Sequence, residues 1–307
     1  MTTAQLLQLE SFESVKRWET RLNRKSGSLN TRDAFLGWLS RFCAFADVDP
    51  DQLVSERQAD LKSEDVFVRK RAEDRLDRWF SQLEKQGYAR NTCVQAYAAV
   101  RSFYKSNHLP LEVGEPVQRW PAKEQREFTR EHLRQLLDVS KKAKQRAIVM
   151  CQAQSGLGVS DLFGLTYGQV RPQLDEGRDH IHLRLLRGKE KQIGYFDTFF
   201  GAQAVGYLRK YIESRKTWRD EDKLFPVSPR GYNKVLEMLS RRAKLPFTVS
   251  THLLRKFFST YMKLGANETY VEYWMGHSLS RVRGAYFNPT QEVQLEKYKQ
   301  AEPNITV

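Results

Sequence analysis

The chain has 307 residues, enough for two domains of ordinary size, and 40% of them are hydrophobic. Its formal net charge of +14 favours a polyanionic partner, either nucleic acid or an anionic membrane surface. No apolar run approaches the length of a membrane span, and no basic amphipathic helix with an aromatic face stands out, which favours nucleic acid. The first residues are typical of neither a signal peptide nor a transit peptide, so we expect a cytoplasmic, nucleoid-associated protein without membrane contact.

Cofactor-binding patterns are sparse in this sequence. Cys43, Cys93 and Cys151 lie far apart, and an odd, scattered set of this kind favours unpaired thiols in a reducing compartment. The chain has no Gly-rich phosphate loop and no Cys-x-x-Cys or His-Glu-x-x-His spacing. His180 and His182 fit the alternation of a strand better than a metal site. We therefore expect neither a metal nor an organic cofactor.

Residues 1–108 predict a compact helical domain. The stretch Phe12–Leu22 is amphipathic, and Ser63–Gln86 predicts one long helix whose buried stripe includes Phe67 and Trp79. A further helix is predicted from Asn91 through Tyr104.

A linker and a second domain follow. Residues 109–127 carry three prolines and no clear period, which predicts a linker between two domains. The second domain begins at Phe128. Alternation over 180–186 and again over 193–196 predicts a β-hairpin, and 198–216 predicts the next helix. The predicted fold class is therefore mainly α with a small β-hairpin in the C-terminal domain.

The most informative stretch runs from residue 251 to residue 287. His252 and Arg255 are three residues apart and share one face of a predicted helix. An imidazole beside a guanidinium suits an anionic oxygen, because the guanidinium fork matches phosphate geometry. The pair Gly276-His277 follows, and Tyr286 stands nine residues after that histidine.

This ordered set resembles the tyrosine recombinases, the family of phage integrases and chromosome-dimer resolvases. THLLRKFFST is similar to the family's His-x-Leu-Arg-x-x-Phe box, and MGHSLSRVRGAYF to its Leu-Gly-His-Ser…Tyr box. The resemblance implies a core-binding domain over 1–108, which clamps DNA, and a catalytic domain over 128–289. It also implies that 290–307, predicted as a short polar helix and a loose tail, packs on a neighbouring protomer.

The family pattern assigns catalytic positions, each in this chain's own numbering. The positions are Tyr286, Arg255, His252, His277, Lys189 and Gly158. The resemblance implies that Tyr286 attacks the phosphorus and forms a 3′-phosphotyrosyl link, while Arg255 binds the non-bridging oxygens. His252 takes the phenol proton or donates to the phosphate, and His277 hydrogen-bonds a phosphate oxygen.

The leaving group needs a proton donor, which the family places in the hairpin turn. The turn after Gly188 resembles the family's Gly-Lys-Gly-x-Lys sequence but is shorter, so its register is open. Lys189 matches the catalytic lysine, and Lys191 is the alternative.

Gly158 departs from the family. SGLGVSDLFGL resembles the box Thr-Gly-Leu-Arg-(Val/Ile)-Ser-Glu-Leu-x-x-Leu on both sides, yet glycine stands where the family has its first catalytic arginine. Glycine costs roughly 1 kcal/mol in a helix interior relative to alanine, so helix propensity does not explain it. Three accounts stay open: a slow or inactive enzyme that still binds DNA, replacement by another cation such as Arg187 or Arg171, or a deliberate substitution that traps a complex.

Double-stranded DNA is the partner that the resemblance implies, bound by a homotetramer with or without accessory proteins. Ala89–Tyr104 matches the core-binding domain locally, which makes Arg90, Arg101 and Lys105 candidate phosphate contacts, with Lys191 in the hairpin turn. One alternative is a non-catalytic DNA-binding protein on the same scaffold. A more distant one is a type IB topoisomerase, which the compact helical N-terminal domain and the Gly-His box disfavour.

Overall fold

The structure is a computed structural model that describes residues 9–25, 29–112, 126–186, 194–279 and 287–307. The chain divides into two compact units, Met1–Glu124 and Gln125–Val307, so the division falls within the predicted linker. The described helices of the first unit are α1 (Glu13–Lys25), α2 (Leu29–Ala46), α3 (Pro50–Asp60), α4 (Val66–Arg69), α5 (Arg71–Lys85) and α6 (Arg90–Ser106). In the described part of this unit, all regular structure is helical.

Aromatic rings build much of the core of the first unit. Trp18 of α1 meets Phe103 of α6 edge-on with ring centroids 5.6 Å apart, and Phe42 of α2 meets Trp79 of α5 at 5.1 Å. Leu111 is buried in the same cluster. The first residues of the predicted linker therefore pack with this domain, because their apolar side chains cover its core.

A buried ion pair joins three helices of the first unit. Arg57 on α3 donates to both carboxylate oxygens of Glu73 on α5, at 2.9 and 2.7 Å, and both side chains are less than a tenth exposed. Arg57 also donates to the carbonyl of Arg69 at the end of α4. Glu73 accepts a further bond from the amide of Glu112 at 3.1 Å. The pair thus also holds the chain where it leaves the domain.

The predicted single helix Ser63–Gln86 is wrong, because the chain forms two helices there. Lys70 separates α4 from α5 with φ −99° and ψ 5°, outside the helical region. This interruption shifts the 3.6-residue period, so Phe67 leaves the predicted stripe and is 77% exposed. Trp79, beyond the break, is buried as predicted.

The second unit surrounds one helix that is buried over most of its length. Its described elements are α7 (Arg130–Asp138), α8 (Ala143–Ser155), α9 (Val159–Gly164), α10 (Arg171–Asp175), β1 (Ile181–Leu186), β2 (Tyr195–Phe200), α11 (Ala202–Glu213), α12 (Pro229–Arg242), α13 (Thr251–Met262), α14 (Glu268–Trp274) and α15 (Gln291–Ala301). Every residue of α8 from Ala147 to Ser155 is buried, with α11, α13 and β2 packed around it. Within the described residues, no helix is long and apolar enough to span a bilayer.

The predicted hairpin forms, but its second strand is longer than expected. β1 and β2 pair antiparallel from Ile181 opposite Phe200 to Leu186 opposite Tyr195. The helix predicted from Thr198 begins only at Ala202. The reason is burial: Phe200 is fully buried in the core, and the Thr198 hydroxyl donates to the Ser155 carbonyl at 2.8 Å. These contacts hold the segment extended on the face of α8.

The C-terminal segment packs on its own domain. Tyr298, Ala301 and Ile305 are fully buried, and the Tyr298 hydroxyl donates to the carbonyl of Gln154. The amide of Val307 donates to the Gln203 side chain at 3.0 Å. The prediction of a loose tail is therefore wrong, because apolar side chains and main-chain bonds hold the segment to its end. Its exchange between protomers stays a prediction.

His180 fastens this segment to the hairpin. Its Nδ1 lies 2.8 Å from Asp179 Oδ1, and its Nε2 lies 2.6 Å from Glu302 Oε2. Burial lowers the pKa of His180, but hydrogen bonds to the two carboxylates outweigh burial and raise the pKa above its ordinary value. The other oxygen of Glu302 accepts from the amide of Ala202 at 2.7 Å, at the start of α11.

The three cysteines are unpaired, as the sequence predicts. Cys43, Cys93 and Cys151 are all buried and free. Burial raises the pKa of each thiol, so the reactive thiolate is suppressed.

Replacing Glu73 by alanine should lower the free energy of unfolding by about 3–5 kcal/mol, because it leaves the Arg57 guanidinium buried without its carboxylate. Urea denaturation followed by tryptophan fluorescence measures the loss. The matched control is Glu13→Ala, which breaks an exposed pair with Lys16 and should cost less than about 1 kcal/mol. Equal losses for the two variants would contradict a structural role for the buried pair.

The raised pKa of His180 predicts a pH-dependent stability. A group whose pKa is higher in the folded state stabilises fully below its unfolded pKa of about 6.5, and that contribution is lost as pH rises through the folded pKa. The second unit should therefore resist urea better at pH 6 than at pH 8.5, and His180→Gln should remove the difference. His108→Gln, an exposed site in the first unit, is the control. An unchanged pH dependence in His180→Gln would contradict this assignment.

Candidate active site

Helix α13 carries the predicted His-x-x-Arg pair. Ser250 caps the helix by accepting a hydrogen bond from the amide of Leu253 at 3.2 Å. Phe258 is fully buried and fixes the helix against the core. Arg255 is partly buried beside it, whereas His252, one turn earlier, is exposed. The pair thus presents one fixed cation and one accessible imidazole.

Two backbone carbonyls hold the guanidinium of Arg255. Nη1 donates to the carbonyl of Gly156 at 2.7 Å, and Nη2 donates to the carbonyl of Met275 at 2.6 Å. Burial lowers the pKa of Arg255, while the carboxylates of Asp161 and Glu272 oppose that shift. The two bonds join the loop after α8 to the loop after α14, so two separate sequence motifs meet at this cation.

Gly158 lies next to this guanidinium. A Cβ built on Gly158 would lie 3.8 Å from Nη1 of Arg255 and 3.3 Å from Oδ2 of Asp161. Gly158 is the N-cap of α9 rather than an interior residue, so the expected helix-interior cost does not apply. Its φ of −67° and ψ of 154° are open to any L-residue. The backbone therefore does not require glycine here.

Gly276 sets the position of His277. Its φ of +72° is left-handed, and a Cβ there would lie 3.0 Å from Cζ of Phe196. Glycine is thus required twice, by backbone conformation and by space. The turn ends α14 and returns the His277 amide to the carbonyl of Glu272 at 3.0 Å. His277 therefore stands two residues beyond the Met275 carbonyl that holds Arg255.

A carboxylate that the sequence analysis missed contacts His277. Oε2 of Glu272 meets Nδ1 of His277, and Oε1 of Glu272 lies 2.8 Å from Nζ of Lys263. Burial raises the pKa of Glu272, but hydrogen bonds from Lys263 and His277 outweigh burial and lower the pKa below its ordinary value. The signal in the sequence was an acidic residue four positions before Gly276, about one helical turn back.

Several predicted site residues lie outside the described residues. They are Tyr286, Lys189, Lys191 and the alternative cation Arg187. Their roles stay predictions. The other alternative, Arg171, lies on α10 and forms an ion pair with Asp220 at 3.2 Å.

The residue that follows Tyr286 is held by aromatic contacts. The ring of Phe287 lies 4.8 Å from the ring of Tyr270 and 5.2 Å from that of Tyr273. The Tyr273 hydroxyl donates to Asp197 at 2.7 Å, and the second oxygen of Asp197 meets His182 Nε2 at 2.7 Å. This buried carboxylate joins β1, β2 and α14. Its position, a single aspartate inside the apolar run of β2, is visible in the sequence but was not predicted to matter.

The predicted DNA contacts of the first unit differ in accessibility. Arg90 is engaged within the domain: it donates to Glu84, and its guanidinium lies 4.7 Å from the ring centroid of Phe80. Arg101 is partly exposed and Lys105 is exposed, one turn apart on α6. Lys105 is therefore the most accessible of the three.

Two arginines of α1 lie beside Arg101 and Lys105 on α6 and form a basic face with them. Neither arginine was predicted as a DNA contact. Arg21 donates to the carbonyl of Lys105 at 3.3 Å and lies 2.8 Å from the His108 ring. Arg17 donates to the Asn107 side chain at 3.0 Å. Only the packing of α1 on α6 brings these cations together, because some 85 residues separate them in the sequence.

A family model and two related proteins indicate the same family for this chain. The model of the phage integrase family matches residues 126–292, more than half of the chain. The tyrosine recombinase XerA of Saccharolobus solfataricus is 26% identical over 222 residues, covering 68% of this chain and 71% of its own. XerC of Lacticaseibacillus casei is 25% identical over 276 residues, covering 81% and 90%.

Solved structures share the fold. The Tn1549 transposon integrase in complex with circular intermediate DNA has a TM-score of 0.58 at 16% identity, covering 92% of this chain and 98% of that one. The XerH recombinase bound to a palindromic difH substrate has a TM-score of 0.56 at 14% identity, covering 85% and 78%. The predicted fold class, mainly α with a small hairpin and a two-domain recombinase architecture, is confirmed.

Replacing Gly276 by alanine should destabilise the second unit by about 1–3 kcal/mol, because the left-handed backbone and the ring of Phe196 both oppose a Cβ. Gly206→Ala is the matched control, since Gly206 lies inside α11 with open space around it. The control should gain roughly 0.5–1 kcal/mol. Urea denaturation distinguishes the two, and equal changes would contradict the requirement for glycine at 276.

Proposed function

The chain belongs to the phage integrase family of tyrosine recombinases, and from that membership we propose that it cuts and rejoins DNA through a 3′-phosphotyrosyl intermediate. The observation that supports this most is the placement of Arg255. Its bonds to the carbonyls of Gly156 and Met275 bring the arginine-box position 158 and the Gly-His motif to one cation. A guanidinium held in this way suits the non-bridging oxygens of a phosphodiester.

The proposed reaction uses side chains alone. The oxygen of Tyr286 attacks phosphorus while the bond to the 5′-oxygen breaks, which yields a phosphotyrosyl ester and a free 5′-hydroxyl. Arg255 and His277 stabilise the charge on the phosphate oxygens, and His252 takes the phenol proton. Lys189, with Lys191 as the alternative, donates the proton to the leaving oxygen. The ester retains the bond energy, so a second 5′-hydroxyl reseals the strand by the reverse steps.

Gly158 bears directly on the rate of this reaction. The absent arginine would begin 3.8 Å from Nη1 of Arg255, where the surrounding fixed charges include Asp161 and Glu272. Loss of one preorganised donor to a developing oxyanion typically costs about 10²–10³ in rate. We therefore propose an impaired recombinase that keeps its other catalytic positions.

A second candidate function rests on the same observation. A chain without the first arginine can act as a DNA-binding protein on the recombinase scaffold without cutting. This alternative predicts that Tyr286→Phe changes neither DNA binding nor any cellular phenotype. A phenotype that disappears in Tyr286→Phe would exclude it.

Double-stranded DNA is the proposed substrate, and a homotetramer on DNA is the proposed assembly. The net charge of +14 and the basic face of Arg17, Arg21, Arg101 and Lys105 support the first part. The solved Tn1549 integrase and XerH structures contain DNA, which supports the same substrate class here. Accessory proteins stay an open part of this proposal.

Gly158→Arg should raise the rate of covalent adduct formation by about 10²–10³, because it restores a second guanidinium beside Arg255. A cognate duplex is first selected from a random library by binding to the protein. It is then nicked next to the cleavage position, so that the released fragment diffuses away and traps the adduct. Denaturing gels measure the product.

The matched control is Gly164→Arg, which adds the same charge at the end of α9, where a Cβ meets nothing within 4 Å. It should leave the rate unchanged. Adduct should disappear when Tyr286→Phe is added to Gly158→Arg. If Gly158→Arg folds, binds the selected duplex and forms no adduct, the enzymatic function is wrong.

A further inference from the structure

We infer that Glu272 is a positioning residue for His277: by accepting the hydrogen bond of Nδ1–H, it leaves Nε2 to face the DNA phosphate. The inference rests on the proposed function, because it assigns His277 to the scissile phosphate. It adds a residue outside the family motifs that the sequence analysis used. Glu272 itself touches no DNA in this account.

Two bonds tie His277 to the same residue. The backbone amide of His277 donates to the carbonyl of Glu272 at 3.0 Å, and its ring Nδ1 meets the Glu272 carboxylate. The left-handed Gly276 makes both bonds compatible, because it reverses the chain at the end of α14. Backbone and ring are therefore fixed together, and the ring keeps one orientation.

The protonation of Glu272 determines which ring nitrogen carries the proton. Hydrogen bonds from Lys263 and His277 outweigh burial and keep the pKa of Glu272 low, so the carboxylate is ionised at neutral pH. An ionised carboxylate only accepts hydrogen bonds, so Nδ1 of His277 must be the donor. The neutral ring then carries its lone pair on Nε2, and the charged ring carries a second N–H there. In both forms Nε2 points away from Glu272, and in the charged form it donates to the phosphate oxygen.

The charges around Glu272 show why this pair needs Lys263. The carboxylate faces His277 and Lys263, which follows the last residue of α13 and lies 2.8 Å away, and it also interacts electrostatically with Arg255. Lys263 also meets Glu268 of α14 at 2.8 Å. A bare carboxylate beside Arg255 would repel an incoming phosphate, particularly with no arginine at position 158. The Lys263 ammonium offsets that charge while leaving the acceptor oxygen in place.

The first test reads the ring directly and needs no DNA. Nitrogen-15 NMR of histidine-labelled protein reports which ring nitrogen is protonated in the neutral form. We expect the Nδ1–H form for His277 in the unmodified chain, and a shift towards the Nε2–H form in Glu272→Ala. An Nε2–H form in the unmodified chain would overturn the inference, whatever the cleavage assays show.

The second test measures cleavage in the Gly158→Arg background on the selected nicked duplex. Partners that fix a histidine tautomer are typically worth about 10–100-fold, so Glu272→Ala should slow single-turnover cleavage by that factor at unchanged DNA affinity. Glu272→Gln keeps an acceptor oxygen and should retain most of the rate. In a His277→Ala background, Glu272→Ala should cause no further loss. Additive losses would overturn the inference, because Glu272 would then act by another route.

Glu268→Ala is the matched control, since Glu268 shares Lys263 but does not contact His277 in the described structure. It should leave both the cleavage rate and the NMR spectrum of His277 unchanged. Thermal unfolding of each variant confirms that it is folded. A complete absence of adduct with Gly158→Arg would count against the proposed function. The NMR result would still decide whether Glu272 holds the ring.

Discussion

The guanidinium of Arg255 can leave water only because two carbonyl oxygens replace part of its hydration. Those carbonyls, of Gly156 and Met275, belong to loops 119 residues apart, so the cation determines how these loops meet. Gly156 is itself constrained: its φ is +66°, and a Cβ there would lie 2.4 Å from the ring of Phe258, one helical turn from Arg255. The packing of α13 and the geometry of the site therefore depend on the same contacts. A change that moved the loop after α8 would also move the guanidinium for which we propose phosphate binding.

Three carboxylates of the second unit are each engaged by a cation, a histidine or a hydroxyl. Asp197 meets His182 and Tyr273, Glu302 meets His180, and Glu272 meets Lys263 and His277. A chain with a net charge of +14 thus keeps these acidic groups paired. These groups orient imidazoles and hold strands to helices, and their partners limit repulsion of the incoming backbone. Gly158 matters here because glycine lacks the positive charge that an arginine would bring to a site where acidic and basic groups nearly balance.

The sequence pointed to the candidate catalytic residues more readily than to the residues that contact and hold them. His252 and Arg255 could be placed on one helix face because they are three residues apart. The family resemblance, not local geometry, added Gly276-His277 to them. Arg17 and Arg21 could not be found in this way, because their contacts form only when α1 packs on α6. Glu272 stands one helical turn before Gly276 in the sequence, but it belongs to no motif that pointed to it.

Elements were misjudged where tertiary burial outweighed local pattern. Thr198 belongs to a strand because the core buries the phenylalanines beside it, and Phe67 is exposed because the helix breaks at Lys70. Hydrophobic periodicity holds no information about a single-residue break or about which side of a segment the core will cover. The roles of Tyr286, Lys189 and Lys191 depend on the family pattern alone, since these residues lie outside the described part of the chain.

The burial of all three native thiols makes this protein a convenient background for site-directed labelling. A maleimide dye should react slowly with Cys43, Cys93 and Cys151, so a cysteine introduced at an exposed position would be marked selectively in the otherwise unaltered chain. Placing one dye on each of the two compact units would then let energy transfer report whether their separation changes when DNA is added.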